Sequence, residues 1–254
     1  MKPLRLGLLQ GLTGGMAALD HWLGQAAGRA DMVVLAEYAC APPDAEDATI
    51  LLNVLRRAAQ RHHLWLLAGA MPLLVAGQRR VRAPLFTPDG LCAFQDKYQP
   101  SLVEREQHEL VAGAAPQVFE TPWGRLGICI GYDLEFPKHA RAQVEAGAWL
   151  LLAPAGGRNT QAANRARFAA QARALENQCF VALAPNTGPG HAAVFGPVDQ
   201  GFPDDGVLAQ GTDGWLFCTL DPARIASVRQ HGAGRHHADW PRAPVAPPQP
   251  AAFT

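Results

Sequence analysis

The sequence predicts a layered α/β fold with mixed sheets, and three observations carry that prediction. Short runs that are apolar throughout, such as Met32-Val33-Val34-Leu35-Ala36, suit strands buried on both faces. Segments with helical periodicity lie between these runs. Thr87-Pro88-Asp89-Gly90 is a strong turn signal between two strand-like stretches, so hairpins are mixed with crossover units.

In chain order, Leu4–Gln10 reads as a strand and Met16–Arg29 as a helix. After the 32–36 strand, Ala45–His62 is a helix, with Asp44 or Asp47 as its cap. Leu64–Ala70 is a strand, and Arg79–Phe86 with Leu91–Asp96 forms the hairpin. Arg125–Ile130 is a buried strand, Phe136–Gly147 a helix and Trp149–Ala153 a strand. A helix at Asn164–Asn177 and a strand at Cys179–Ala184 follow. Short strands are expected at Ala192–Phe195, Val207–Ala209 and Trp215–Thr219. The tail from about residue 240 is rich in Pro and Ala and is expected to run over the surface or a partner.

The 254 residues are 48% hydrophobic, enough for a substantial core, and no linker or repeat divides the first 220. Lys+Arg 22 balance Asp+Glu 22, which argues against nucleic acid or an anionic membrane as partner. No apolar run is long enough to span a bilayer, and Met1–Gln10 lacks the pattern of a signal peptide. A cytoplasmic protein is expected. The cysteines (Cys40, Cys92, Cys129, Cys179 and Cys218) are odd in number and scattered, so reduced, mostly buried thiols are expected and neither a disulfide framework nor a metal site. No cofactor is implied. The only serines are Ser101 and Ser227, and neither sits in a Gly-x-Ser-x-Gly elbow, which excludes that class of serine hydrolase.

The chemistry concentrates in three segments, each an apolar run followed by tyrosine: Val33–Tyr38, Leu91–Tyr98 and Leu126–Asp133. Glu37 and Lys97 end two of them and are candidate acid and base, against the plainer reading of solvated loop charges. Only three of the 22 basic residues are lysine (Lys2, Lys97 and Lys138), which makes Lys97 informative.

In these residues the sequence resembles the nitrilase, or carbon–nitrogen hydrolase, superfamily, from about Leu4 to Pro222. Glu37 matches the family's general base, and Asp89-Gly90 followed by Lys97 matches its hairpin and catalytic lysine. Gly127 through Pro137, Ala146-Gly147-Ala148 and Pro154 match the nucleophile segment and the following strand. Arg173-Ala174-Leu175-Glu176-Asn177, Phe180-Val181 and Asn186 match a further motif, and Gly196-Pro197 with Asp205-Gly206 a late hairpin. The resemblance implies one domain over 1–254, a four-layer αββα sandwich and a homodimer formed through the helical face. It also implies a Glu-Lys-Cys mechanism on a small amide, nitrile or carbamoyl compound. There, the thiolate attacks the carbon, the glutamate moves the proton, and the lysine and the N–H after the cysteine hold the oxyanion. That N–H belongs to Tyr132. A second glutamate that orients the lysine or the substrate is matched by Glu104, with Glu106 as the alternative.

One departure decides the expected activity. The family has cysteine immediately before Tyr-Asp, and this chain has Gly131. Loss of a nucleophile costs on the order of 10⁶ in kcat, or about 8 kcal/mol of barrier. The chain is therefore expected to be inactive or strongly impaired, or to be a pseudoenzyme that binds a small carbonyl-containing molecule. Cys129, two residues back, would point to the same strand face about 6–7 Å away, and its expected role is core filling. Tyr38, Asp133, Arg158 and Asn159 are pocket candidates. Asp133 is expected to cap the helix near Pro137 or to hold the loop, Arg165 to be solvated, and His236-His237 to be exposed tail.

Overall fold

The computed structural model describes residues 2–41, 48–157, 159–186 and 188–242. The expected caps Asp44 and Asp47, pocket candidate Arg158 and most of the Pro/Ala-rich tail lie outside them.

Among the described residues two sheets face each other. The first runs β13-β1-β2-β3-β5-β4, with β6 also on β5. Its strands are β1 (Leu4–Gln10), β2 (Met32–Leu35), β3 (Trp65–Leu67), β4 (Met71–Val75), β5 (Gln78–Phe86), β6 (Cys92–Asp96) and β13 (Gly214–Leu220). The second runs β12-β11-β10-β9-β8-β7. It comprises β7 (Val118–Thr121), β8 (Gly124–Ile128), β9 (Leu150–Ala155), β10 (Phe180–Pro185), β11 (Ala192–Phe195) and β12 (Val207–Gly211). Both sheets mix parallel pairs, such as β1 with β2 and β8 with β9, with antiparallel ones. The helices are α1 (Leu19–Ala26), α2 (Ala48–His62), α3 (Leu102–His108), α4 (Pro137–Glu145), α5 (Thr160–Asn177), α6 (Pro222–His231) and α7 (His236–Asp239).

Side-chain alternation along the strands sets the layers. Leu8 and Val34 from the first sheet meet Ile128, Leu152 and Phe180 from the second in a central core. The neighbouring Leu9, Val33 and Leu35 turn outward against Leu19 and Leu23 of α1 and Leu55 of α2. Leu151 and Val181 turn outward against Val144 of α4 and Ala170 and Ala174 of α5. The result is the expected αββα sandwich. Because strands such as β2 and β9 are covered on both faces, their sequences read as unbroken apolar runs.

Several elements depart from the sequence reading. β4, β7, α3 and α6 went unassigned. Pro72 interrupts the strand pattern of β4, yet β4 pairs only with β5, so its missing N–H costs no ladder bond on the far side. α5 begins four residues before the expected Asn164, because the Asn159 side chain accepts from Ala162 N–H at 2.9 Å and starts the helix there. His236-His237 opens α7 instead of lying in a tail, and His237 N–H donates to Gln178 Oε1 at 3.1 Å.

Candidate active site

The chemistry-bearing residues sit where strands of both sheets end. Glu37 follows β2, and Lys97 follows β6. Gly131 lies just beyond β8, Gly156 follows β9 and Asn186 follows β10. Strand ends in α/β sheets expose backbone that is free to turn, and ligands gather there. Glu37, Lys97, Glu104, Gly131, Tyr38 and Tyr132 all line one cavity of about 750 Å³. That volume suits a small organic molecule.

Lys97 Nζ is the hub. It donates to Glu37 Oε1 and to Glu104 Oε1, each at 2.7 Å. All three side chains are buried. Burial alone would lower the Lys97 pKa, but the two carboxylates outweigh burial and raise it. Burial would raise Glu104 too, yet Lys97 and the Tyr38 hydroxyl hold it below the usual carboxylate range. Glu37 goes the other way: burial pushes it above that range in spite of Lys97, and the charge of Glu104 adds to the rise.

Each member is fixed by its own surroundings. The Tyr38 hydroxyl donates to Glu104 Oε1, and Tyr38 reaches it from a left-handed backbone of φ 63°. Such strain in a residue with a side chain collects at functional sites. Glu104 closes a capping box on α3: Ser101 N–H donates to Glu104 Oε2 at 2.6 Å, and Glu104 N–H donates to Ser101 Oγ. The Ser-x-x-Glu spacing is thus a sequence signal that separates Glu104 from Glu106, which is exposed. Glu37 Oε2 accepts the Gly156 N–H at 2.8 Å, and Asn186 Nδ2 donates to the Glu37 carbonyl at 3.1 Å.

Gly131 opens a 3-10 turn (Gly131–Glu135) with φ 48°, a left-handed conformation that favours glycine. A Cβ built on it would stand 2.9 Å from Cδ and 3.0 Å from Oε1 of Glu37, and closer still to Oε2. The Glu37 carboxylate therefore occupies the space that a side chain at 131 would enter.

Asp133 accepts Gln99 N–H at 2.7 Å and Tyr98 N–H at 3.2 Å. It does not cap α4, whose N-cap is Phe136 without a side-chain bond. Of the two roles expected for Asp133, the structure shows the loop-holding one: it ties the chain just after Lys97 to the turn that carries Gly131. It does not line the cavity. Asn159 does line it while capping α5. Arg165 is exposed as expected, and it also pairs with Glu135 at 3.3 Å at the edge of the cavity. Arg79 and His108 also line the cavity and were not singled out from the sequence.

Cys129 is the clearest correction. It does not share a face with position 131. Side chains still alternate through Cys129 and Ile130, which turn to the helix side and to the central core, but the turn opened by Gly131 swings the chain round, so the period of two no longer reaches 131. Cys129 packs outward with Leu134, Ala140 and Val144, and its sulfur accepts from Gln143 Nε2 at 3.3 Å. Burial raises its thiol pKa strongly. Mass spectrometry of the native protein after exposure to an electrophilic amide analogue is expected to find Cys129 unmodified.

No group of three or more His, Cys, Asp or Glu that could hold a metal occurs among the described residues. Nor is any described helix long and apolar enough to cross a membrane.

The carbon-nitrogen hydrolase family model matches residues 14–230. The chain belongs to the carbon-nitrogen hydrolase family. Among curated relatives, this carbon-nitrogen hydrolase is 32% identical over 139 residues to "Probable hydrolase YhcX" of Bacillus subtilis. That match spans 50% of this chain but only 27% of the relative's length. It is 28% identical over 211 residues to "Deaminated glutathione amidase" of Synechocystis sp., covering 75% of this chain and 76% of the relative. Saccharomyces cerevisiae Nit3, a member of the nitrilase superfamily, shares the fold with a TM-score of 0.76 at 22% identity, over 90% of this chain and 94% of Nit3.

Proposed function

We propose that this chain is an amidase-type scaffold whose pocket binds a small amide or carbamoyl compound and turns it over poorly or not at all. The observation that carries this reading is the convergence of Glu37, Lys97 and Glu104 on one cavity beside Gly131. In this reading Gly131 stands at the nucleophile position, Glu37 is the acid–base group, and Lys97 with the Tyr132 N–H faces the ligand's carbonyl oxygen. Glu104 and Tyr38 hold Lys97 in place. Without a sulfur at 131 no thioester forms, so the two-step route that makes amides reactive is closed.

A sensing role is the second reading, and the intact hydrogen-bonding around Lys97 favours it. Burying two carboxylates and an ammonium is costly unless each is paired, and here each is. The reading carries a homodimer and a cytoplasmic location with it. Its test is thermal denaturation with a panel of short aliphatic amides and carbamoyl compounds. A binder at 100 times its Kd stabilises by about 2.7 kcal/mol, with no release of ammonia. A panel without any shift in Tm counts against both forms of the proposal.

A further inference from the structure

At Gly131 a carboxylate fills the place beside the turn where a side chain would go. Glu37 Oε2 faces that place, lines the cavity and is steadied by the Gly156 N–H at 2.8 Å. Its other oxygen is held by Lys97 at 2.7 Å. An acyl carbon lying over Gly131 would therefore meet a fixed base, with a cation bonded to that base's other oxygen and lining the same cavity.

From this arrangement we infer that the chain hydrolyses activated acyl compounds, of the aryl ester or thioester class, in one step, with Glu37 as general base on water. The inference rests on the reading of the cavity as an acyl-binding pocket. Glu37 Oε2 takes a proton from water as the water oxygen bonds to the acyl carbon, and the carbonyl pair moves onto its oxygen facing Lys97. That pair then returns, the bond to the aryloxide or thiolate breaks, and the leaving group takes the proton from Glu37. The products are a carboxylic acid and a phenol or thiol, and Glu37 is restored. Amides fall outside this route because an amine is a far poorer leaving group and no covalent intermediate divides the barrier. A carboxylate with a raised pKa is a better base near neutral pH, which suits Glu37 to the task.

The probe is 4-nitrophenyl acetate with the 254-residue chain. Saturable hydrolysis about 10³-fold above the uncatalysed rate is expected, the residue that binding and electrostatics leave without a nucleophile. Glu37→Gln is expected to lower it about 100-fold, and Cys129→Ala to leave it unchanged. The rate should climb with pH as Glu37 loses its proton, with a midpoint above the usual carboxylate value of about 4.3. That profile, taken on the unmodified chain, reads the same group even where Glu37→Gln fails to fold. Unchanged hydrolysis in Glu37→Gln, a rate flat with pH, an acyl adduct accumulating on the protein, or loss of activity in Cys129→Ala overturns the inference. Amide-dependent thermal stabilisation without ester hydrolysis would overturn it too, while leaving the proposed binding function standing.

Discussion

Gly131→Cys is expected to raise amide hydrolysis far above that of the unaltered chain. The groups that the proposed reading requires lie nearby: a buried carboxylate beside position 131, and a lysine bonded to it at 2.7 Å. A thiol there would have a base at hand, which is what converts a thiol into a nucleophile. Up to about 10⁶ in kcat depends on the missing group. The whole of it should not return, because the new Cβ runs into the Glu37 carboxylate and that carboxylate must withdraw. Even about 1 Å of misplacement costs roughly 100-fold. The backbone at φ 48° adds strain to any side chain, so the variant should also be less stable by about 1–3 kcal/mol. Ammonia release and an acyl-protein adduct by mass spectrometry read the gain, and urea denaturation reads the cost. A folded variant with no turnover across a broad amide and carbamoyl panel would refute Gly131 as the nucleophile position.

Lys97→Met is expected to be the most destabilising single change at the site. It removes the ammonium that Glu37 Oε1 and Glu104 Oε1 both accept from, and leaves two buried carboxylates in repulsion. Breaking a buried ion pair from one side costs about 3–5 kcal/mol. The sign with pH follows from the same groups. Without the ammonium, burial and mutual repulsion raise both carboxylates above their unfolded values of about 4.3. A raised folded pKa means that the folded state is favoured at pH below the unfolded value and loses ground as pH rises through the folded one. The variant should therefore approach the stability of the unaltered chain near pH 4 and fall furthest behind above pH 7. Urea midpoints at the two pH values test this, and a loss that is equal at both would show that Lys97 does not neutralise the pair.

Much of this arrangement was legible in the sequence because buried strands and strand-end charges leave strong local marks. β2, β9 and β10 announce themselves as apolar runs since helices and a second sheet cover both faces. Glu37 and Lys97 stand out because each follows a strand and precedes a tyrosine. What stayed hidden depends on contacts distant in sequence. Nothing local says that Asp133 accepts from Tyr98 and Gln99, 34–35 residues away. Nor does spacing alone reveal that Arg79, at the start of a hairpin strand, borders the same cavity as Gly131. Cys129 fills the core as its apolar setting suggests, but simple alternation misplaces it relative to position 131, because the strand gives way to a turn at Gly131. Gly131 was read as the lack of a group, whereas the fold puts the Glu37 carboxylate there.

The acid and the ammonium ride on one sheet, and the glycine elbow and the Gly156 N–H ride on the other. The reactive geometry is thus a measure of how far apart the two halves of the sandwich lie. Asp133 acts as a rivet across that seam, and the Asn186–Glu37 bond as a second one. A methylene added or removed at Val34 or Ile128, which meet in the filling between the sheets, reaches the pocket without touching it, by changing the gap the rivets must span.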